Sequence, residues 1–185
     1  MSLKHHHFLV VLGALVCGAC AGASRAPADD PSGEPVRGGE LPTVRIRHDA
    51  VVVARDYSVS VDQLWAVLPG AFADLGYQGA PAKDRLYLTP SLTVRGRLDP
   101  KVPNATFLNC GRTTAGGQAA NEYEVTFTVL ARARARAAGT SRLEVIVDGW
   151  ASDRASRSGG NFCSGTGQIE ESIFQAAERR LAANR

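Results

Sequence analysis

"EYEVTFTVLARARARA", residues 122–137, is the stretch whose reading decides the fold. Successive side chains of a strand point to opposite faces. One face of this stretch therefore carries Val125, Phe127, Val129, Ala131, Ala133 and Ala135. The other carries Thr126, Thr128, Leu130, Arg132, Arg134 and Arg136. The first set is apolar and small-to-medium in size, so it reads as the core face, with the alanines allowing a helix backbone to pack close.

The partner is "SRLEVIVDGWAS", residues 141–152, which alternates in the same way. Leu143, Val145, Val147 and Ala151 share one face; Arg142, Glu144, Ile146, Asp148 and Trp150 share the other. A three-residue connection, Ala138-Gly139-Thr140, puts both apolar sets on one side. A one-residue slip would mismatch them. In that register Arg134 is expected opposite Glu144, Arg132 opposite Ile146, Leu130 opposite Asp148 and Thr128 opposite Trp150. The arginine comb then lies on the outer face with an acid in reach. It is a solvated strand face with weak ion pairs, or, with Trp150 beside it, a candidate surface for an anion or a partner.

Working outward, "TVRIRHDAVVVARDY" predicts one or two strands within residues 43–57. "RLYLTPSLTVRGR" (85–97) predicts two short strands around Thr89-Pro90, or one broken strand, and "ATFLNCG" (105–111) another short one. Residues 112–121 and 153–162 are polar, glycine-containing stretches and read as loops. Two segments have helical period. In "SVDQLWAVLPGAFADLGY" (60–77), Ser60 and Gln63 fit a capping box, Val61, Leu64, Trp65, Leu68, Phe72 and Leu75 form one apolar face, and Gly76 suits a left-handed terminus. Pro69 should kink or split this helix near Leu68. "TGQIEESIFQAAERRLA" (166–182) has Thr166 as a candidate cap, acids at its start, arginines at its end and an inner face of Ile169, Ile173, Ala176, Ala177 and Leu181. The order strand, helix, strands, helix predicts an α+β fold: an antiparallel sheet of about five or six strands with two helices on one face.

The beginning of the chain reads differently. "MSLKHHHFLVVLGALVCGACAGA" has the polar start, short apolar run and small-residue exit of a secretory signal. The apolar run is shorter than the ~20 residues that cross a bilayer as a helix. Two exits are open. Ala19-Cys20-Ala21 and Ala21-Gly22-Ala23 suit ordinary cleavage, while Cys17-Gly18-Ala19-Cys20 resembles a bacterial lipobox, which implies lipid on Cys20. Residues 1–20 are thus a signal and lipobox. Residues 21–40, rich in Ala, Gly, Pro, Ser and acids, read as a disordered tether. Residues 41–185 form a single α+β domain.

Charge and cysteine content narrow the function classes. Once Lys4 leaves with the signal, 20 basic residues face 18 acidic ones, which is no footprint for nucleic acid. Only Cys110 and Cys163 remain for the domain. An exported domain with one cysteine pair predicts one structural disulfide, closing a loop of about 54 residues. They are too far apart in sequence for a redox-active C-x-x-C pair. His48 is the one histidine of the domain, so no zinc site is expected. Ser164 in "CSGTG" does not sit in a G-x-S-x-G nucleophile elbow. "SGTG" before a helix could receive an anion on its N–H groups, yet it also suits a flexible helix start beside a disulfide. No cofactor, metal or catalytic residue is predicted.

Residues 56–90, "DYSVSVDQLWAVLPGAFADLGYQGAPAKDRLYLTP", resemble the helix-plus-strand unit of BamC-type envelope lipoproteins, through Leu64-Trp65, Leu75-Gly76-Tyr77 and Asp84. The cysteine pair and the "CSGTGQIE" helix start lie outside that pattern and resemble a poorly characterised family of exported bacterial proteins. The resemblance implies a helix-grip-like domain tethered to a membrane, with a binding or scaffolding role, and carries over no functional residue. The expectation is therefore a non-enzymatic, lipid-anchored cell-envelope domain for a protein or envelope polymer. A periplasmic or secreted soluble protein is the alternative location. A small hydrophobic-ligand carrier, with a cavity between sheet and helix, is the alternative function. A hydrolase using His48 is a third.

Overall fold

The computed structural model of the chain describes residues 34–36, 44–47, 50–153 and 159–184. The fold is α+β, built on two long antiparallel strands, β8 (Glu124–Ala135) and β9 (Ser141–Ser152). Shorter segments line up along both. On the outer side of β8 lie β5 (Leu86–Leu88) and β6 (Leu92–Val94), end to end, with β4 (Ala80–Ala82) beyond β5. On the outer side of β9 lie β3 (Val52–Tyr57) and β10 (Gly160–Gly165), again end to end, with β7 (Leu108–Asn109) beyond β10. Eight strand segments thus fill six positions across one antiparallel sheet. A separate ladder joins β1 (Glu34–Val36), inside the stretch expected to be tether, to β2 (Val44–Ile46).

The predicted core face is the observed one. Val125, Phe127, Val129, Ala131 and Ala133 are buried, as are Leu143, Val145, Val147 and Ala151, while Ala135, at the last pair of the ladder, is exposed. Helices α1 (Val61–Asp74) and α3 (Gln168–Ala183) pack on this inner face, and their apolar stripes join a single continuous core with it. Ala119 and Ala120 of the one-turn α2 (Ala119–Glu122), in a stretch expected to be loop, are buried in the same core. Gly149 shows how tightly the central pair closes. A Cβ there would stand 2.6 Å from the Thr126 carbonyl oxygen and 2.7 Å from Phe127 Cβ.

The helix ends follow local chemistry. Ser60 and Gln63 complete the predicted capping box, and Gly76 takes the left-handed conformation (φ +76) after α1. α1 nevertheless runs unbroken through Pro69. Pro69 is exposed while Leu68, Ala71 and Phe72 beside it are buried, so packing of the inner stripe holds the helix across the lost hydrogen bond. Thr166 does not cap α3. Gly167 does, at φ +99, and the Thr166 hydroxyl donates instead to the Thr106 carbonyl at 2.6 Å. The two helices are pinned to each other where Arg180 donates in a fork to Asp74 (2.6 and 2.8 Å), over a gap that Gly70 leaves open.

The hairpin register differs from the expectation by two residues. Arg134 pairs with Arg142, Arg132 with Glu144, Leu130 with Ile146, Thr128 with Asp148 and Thr126 with Trp150. The ladder ends at Ala135–Ser141, leaving residues 136–140 as the connection. That loop is closed by Arg136 N–H to the Thr140 carbonyl and Thr140 N–H to the Ala137 carbonyl, with Gly139 at φ +75. A slip of two preserves every face, so the apolar pattern cannot distinguish the registers. The loop decides.

Candidate functional site

The outer face of the sheet carries the residues singled out from the sequence, and it divides into three zones. The first is an ionic row at the hairpin end. Arg134 donates to Glu144 Oε2 at 2.8 Å, diagonally rather than directly across. Arg142 forks onto Asp56 at 2.7 and 2.8 Å. The Arg142 guanidinium holds the Asp56 carboxyl below its ordinary range, and the Arg142 pKa rises in return. Arg136 lies past the last pair, 3.9 Å from Asp56. Arg132 is partly buried, and its Nε is shielded without a hydrogen-bond partner among the described residues. The three arginines of the comb are therefore not equivalent. One is bound to an acid, one stands at the rim, and one is drawn into the sheet.

The second zone is an apolar band crossing the sheet. Leu86 and Leu88 on β5 and Leu130 on β8 are buried together, with Ala82 and Ile146 packed against them. Val52, paired with Ile146, extends the band to β3 and is 52% exposed. This band accounts for Leu130 and Ile146, two apolar residues on a face otherwise read as polar.

The third zone is aromatic. Trp150 pairs across the ladder with Phe162, their rings edge-to-face at 4.8 Å. Phe162 is 55% exposed. The Arg47 guanidinium lies 4.4 Å from the Phe162 ring centroid, and its Nε donates to Asp148 at 2.9 Å. Trp150 thus belongs with Phe162 and Arg47. Six residues of β9 separate it from Glu144, the residue opposite Arg132, or about 20 Å at strand rise. Phe162 is not marked by sequence pattern, because "GNFCSG" does not alternate, and Arg47 is brought to it only by the fold. The strand β10 formed by "GNFCSG" lay in a stretch expected to be loop as far as Phe162.

Cys110 and Cys163 form the expected disulfide (S–S 2.01 Å), both sulfurs buried. It ties the end of β7 to β10. Asn161 on β10 reinforces the tie, donating to the Cys110 and Arg112 carbonyls at 2.8 and 3.1 Å. The helix start after Cys163 holds a carboxylate of the chain's own, Glu170, in the first turn of α3. Its side chain is fully buried, and neither oxygen completes a hydrogen bond among the described residues. Burial pushes its carboxyl up, against a smaller opposite pull from the nearby Gly167 and Glu170 backbone. Cys20 and His48 lie outside the described residues. Among the described residues, no group of three His, Cys, Asp or Glu is placed to hold a metal ion, and no helix is long and apolar enough to cross a membrane.

In comparison with known proteins, no family model, no curated protein and no solved structure matches the chain.

Proposed function

We propose that this chain is an exported, non-catalytic cell-envelope domain, held to a membrane by lipid on Cys20, that binds an envelope protein or polymer through the outer face of its sheet. The supporting observation is the contrast between that face and the core beneath it. The outer face presents exposed Phe162 beside Trp150, with Arg47 on the Phe162 ring. Aromatic residues and arginine are enriched where protein surfaces meet partners. A buried disulfide suits a domain that matures in an oxidising compartment. On the inner side, Leu64, Leu68, Phe72, Val129 and Ala131 fill the space a carrier would need between sheet and helix. That packing favours a surface partner over an enclosed hydrophobic ligand.

Two measurements test the proposal. Intact mass and membrane fractionation of the native protein should show a lipid-sized increment on Cys20. Soluble protein beginning after Ala21 or Ala23 would remove the anchor from the proposal and leave the exported domain. Pull-down from an envelope fraction should then lose its captured partner on Trp150→Ser with Phe162→Ser, and weaken on Arg132→Ser, Arg134→Ser and Arg136→Ser together. Unchanged capture in both variants would overturn the outer face as the binding surface.

A further inference from the structure

At the hairpin end of the sheet, the β3–α1 junction and the β8–β9 loop border an open cleft of about 640 Å³. That is within the size range of small-molecule sites. Asp56, Ser58, Arg136 and Thr140 supply its polar wall, and Tyr57 and Ser141 also border it. Tyr57 and Ser141 are paired residues at the end of the β3–β9 ladder. Both hydroxyls are shielded from bulk water and have no hydrogen-bond partner among the described residues. Both side chains lie on the face of the sheet that carries Leu143, and the Tyr57 ring packs in the core.

The charges on the outer lip indicate the sign of the ligand. Arg134, Arg136 and Arg142 stand in one row with only two acids, Glu144 and Asp56. Glu144 is bound by Arg134, and Asp56 accepts the full fork of Arg142. Arg136 shares Asp56 only at 3.9 Å and is 52% exposed. Its planar fork matches the two oxygens of a carboxylate. We infer that this cleft is a binding site for a small carboxylate-bearing ligand, with Arg136 holding the carboxylate and Ser58 and Thr140 serving its remaining polar groups. This site lies at the end of the sheet, away from the aromatic zone, and does not depend on export or on the anchor.

Two kinds of molecule present this chemistry, a sugar acid and a peptide C-terminus. Calorimetric titration of the purified full chain with glucuronate and with N-acetyl-alanyl-alanine distinguishes them, with glucose and the dipeptide amide as neutral counterparts. Saturable binding is expected for at least one carboxylate and not for its neutral counterpart. Arg136→Gln should weaken it about tenfold or more, as loss of a charge-assisted hydrogen bond does. Ser58→Ala should weaken it less. Thermal melts establish that each variant is folded, and Arg136, in an exposed loop, is the variant least coupled to folding. No saturable heat with either carboxylate up to about 10 mM, a weaker limit than the millimolar range of small-ligand binding, would overturn the site. So would equal binding of the neutral counterparts, or binding that Arg136→Gln leaves intact.

Discussion

The two faces of the β8–β9 ladder are made from the same two strands and obey different rules. The inner face is one continuous apolar field, closed by α1 and α3. The outer face is a patchwork of an ionic row, a narrow apolar band and an aromatic pair. On the inner side alternate residues, from Val125 to Ala133 and from Leu143 to Ala151, meet the same requirement, exclusion of water, so one pattern governs that span. On the outer side each residue answers to whichever segment flanks it: β5 beside Leu130, β3 beside Ile146, β10 beside Trp150. Those segments are distant in sequence, and the pattern breaks where one gives way to the next.

The largest expected effect is at the cysteine bridge, which ties the side of the sheet with the least sequence pattern. Cys110→Ser with Cys163→Ser should cost about 4 kcal/mol, because the unfolded chain regains the freedom of a loop that spans 53 positions. Urea unfolding measures it, and a cost near zero would mean that β7 and β10 are held by packing alone. Next come two fully buried leucines, Leu143 on the inner face and Leu88 on the outer. Leu143→Ala should lose about 3 kcal/mol, and Leu88→Ala about 2 kcal/mol, since its three-leucine cluster has more room to collapse. Equal losses would erase the distinction between a core and a satellite.

Glu170 sharpens the comparison from the inside, as an acid placed where the apolar rule should exclude it. Its carboxyl is raised in the fold by burial, so folding favours the neutral form. The sign follows. Its contribution is fully present below the ordinary glutamate pKa and is lost as pH rises through the raised folded value. Glu170→Gln should therefore match the parent in acid and become the more stable of the two as pH increases, by about 1–3 kcal/mol, the scale of one unsatisfied buried group. Urea midpoints taken across pH test this, and parallel curves would show that the carboxylate is satisfied. The smallest effect belongs to the ionic row. Arg134→Ala should cost only about 0.2–1 kcal/mol, diminishing with salt, because the pair with Glu144 is largely in water.

Several elements were legible because their causes are local. The Ser60–Gln63 cap, the left-handed Gly76 and the strand span 141–152 depend on residues within a few positions of one another. The errors have equally physical sources. Pro69 by local rules should kink or split α1 near Leu68, but the penalty of one missing hydrogen bond is smaller than the burial of Leu68, Ala71 and Phe72 around it. β10 was read as loop as far as Phe162 because its glycines and polar residues match no period, although β9 and β7 on either side supply its hydrogen bonds. Of the candidate site, the sequence marked Trp150 and the three arginines. It could not place Phe162 and Arg47 beside the first, or separate the roles of the others.

By itself the sequence determined the α+β class, the core face of the central strands and the helix that closes them, because alternation, helical period and capping act between near neighbours. Only the tertiary structure decided the hairpin register, the pairing of Trp150 with Phe162 and the notch around Arg136. A shift of two residues leaves every side chain on its own face, so hydrophobic pattern is blind to it. The contacts of the loop and of distant strands are what select one register and so set which charges and hydroxyls meet.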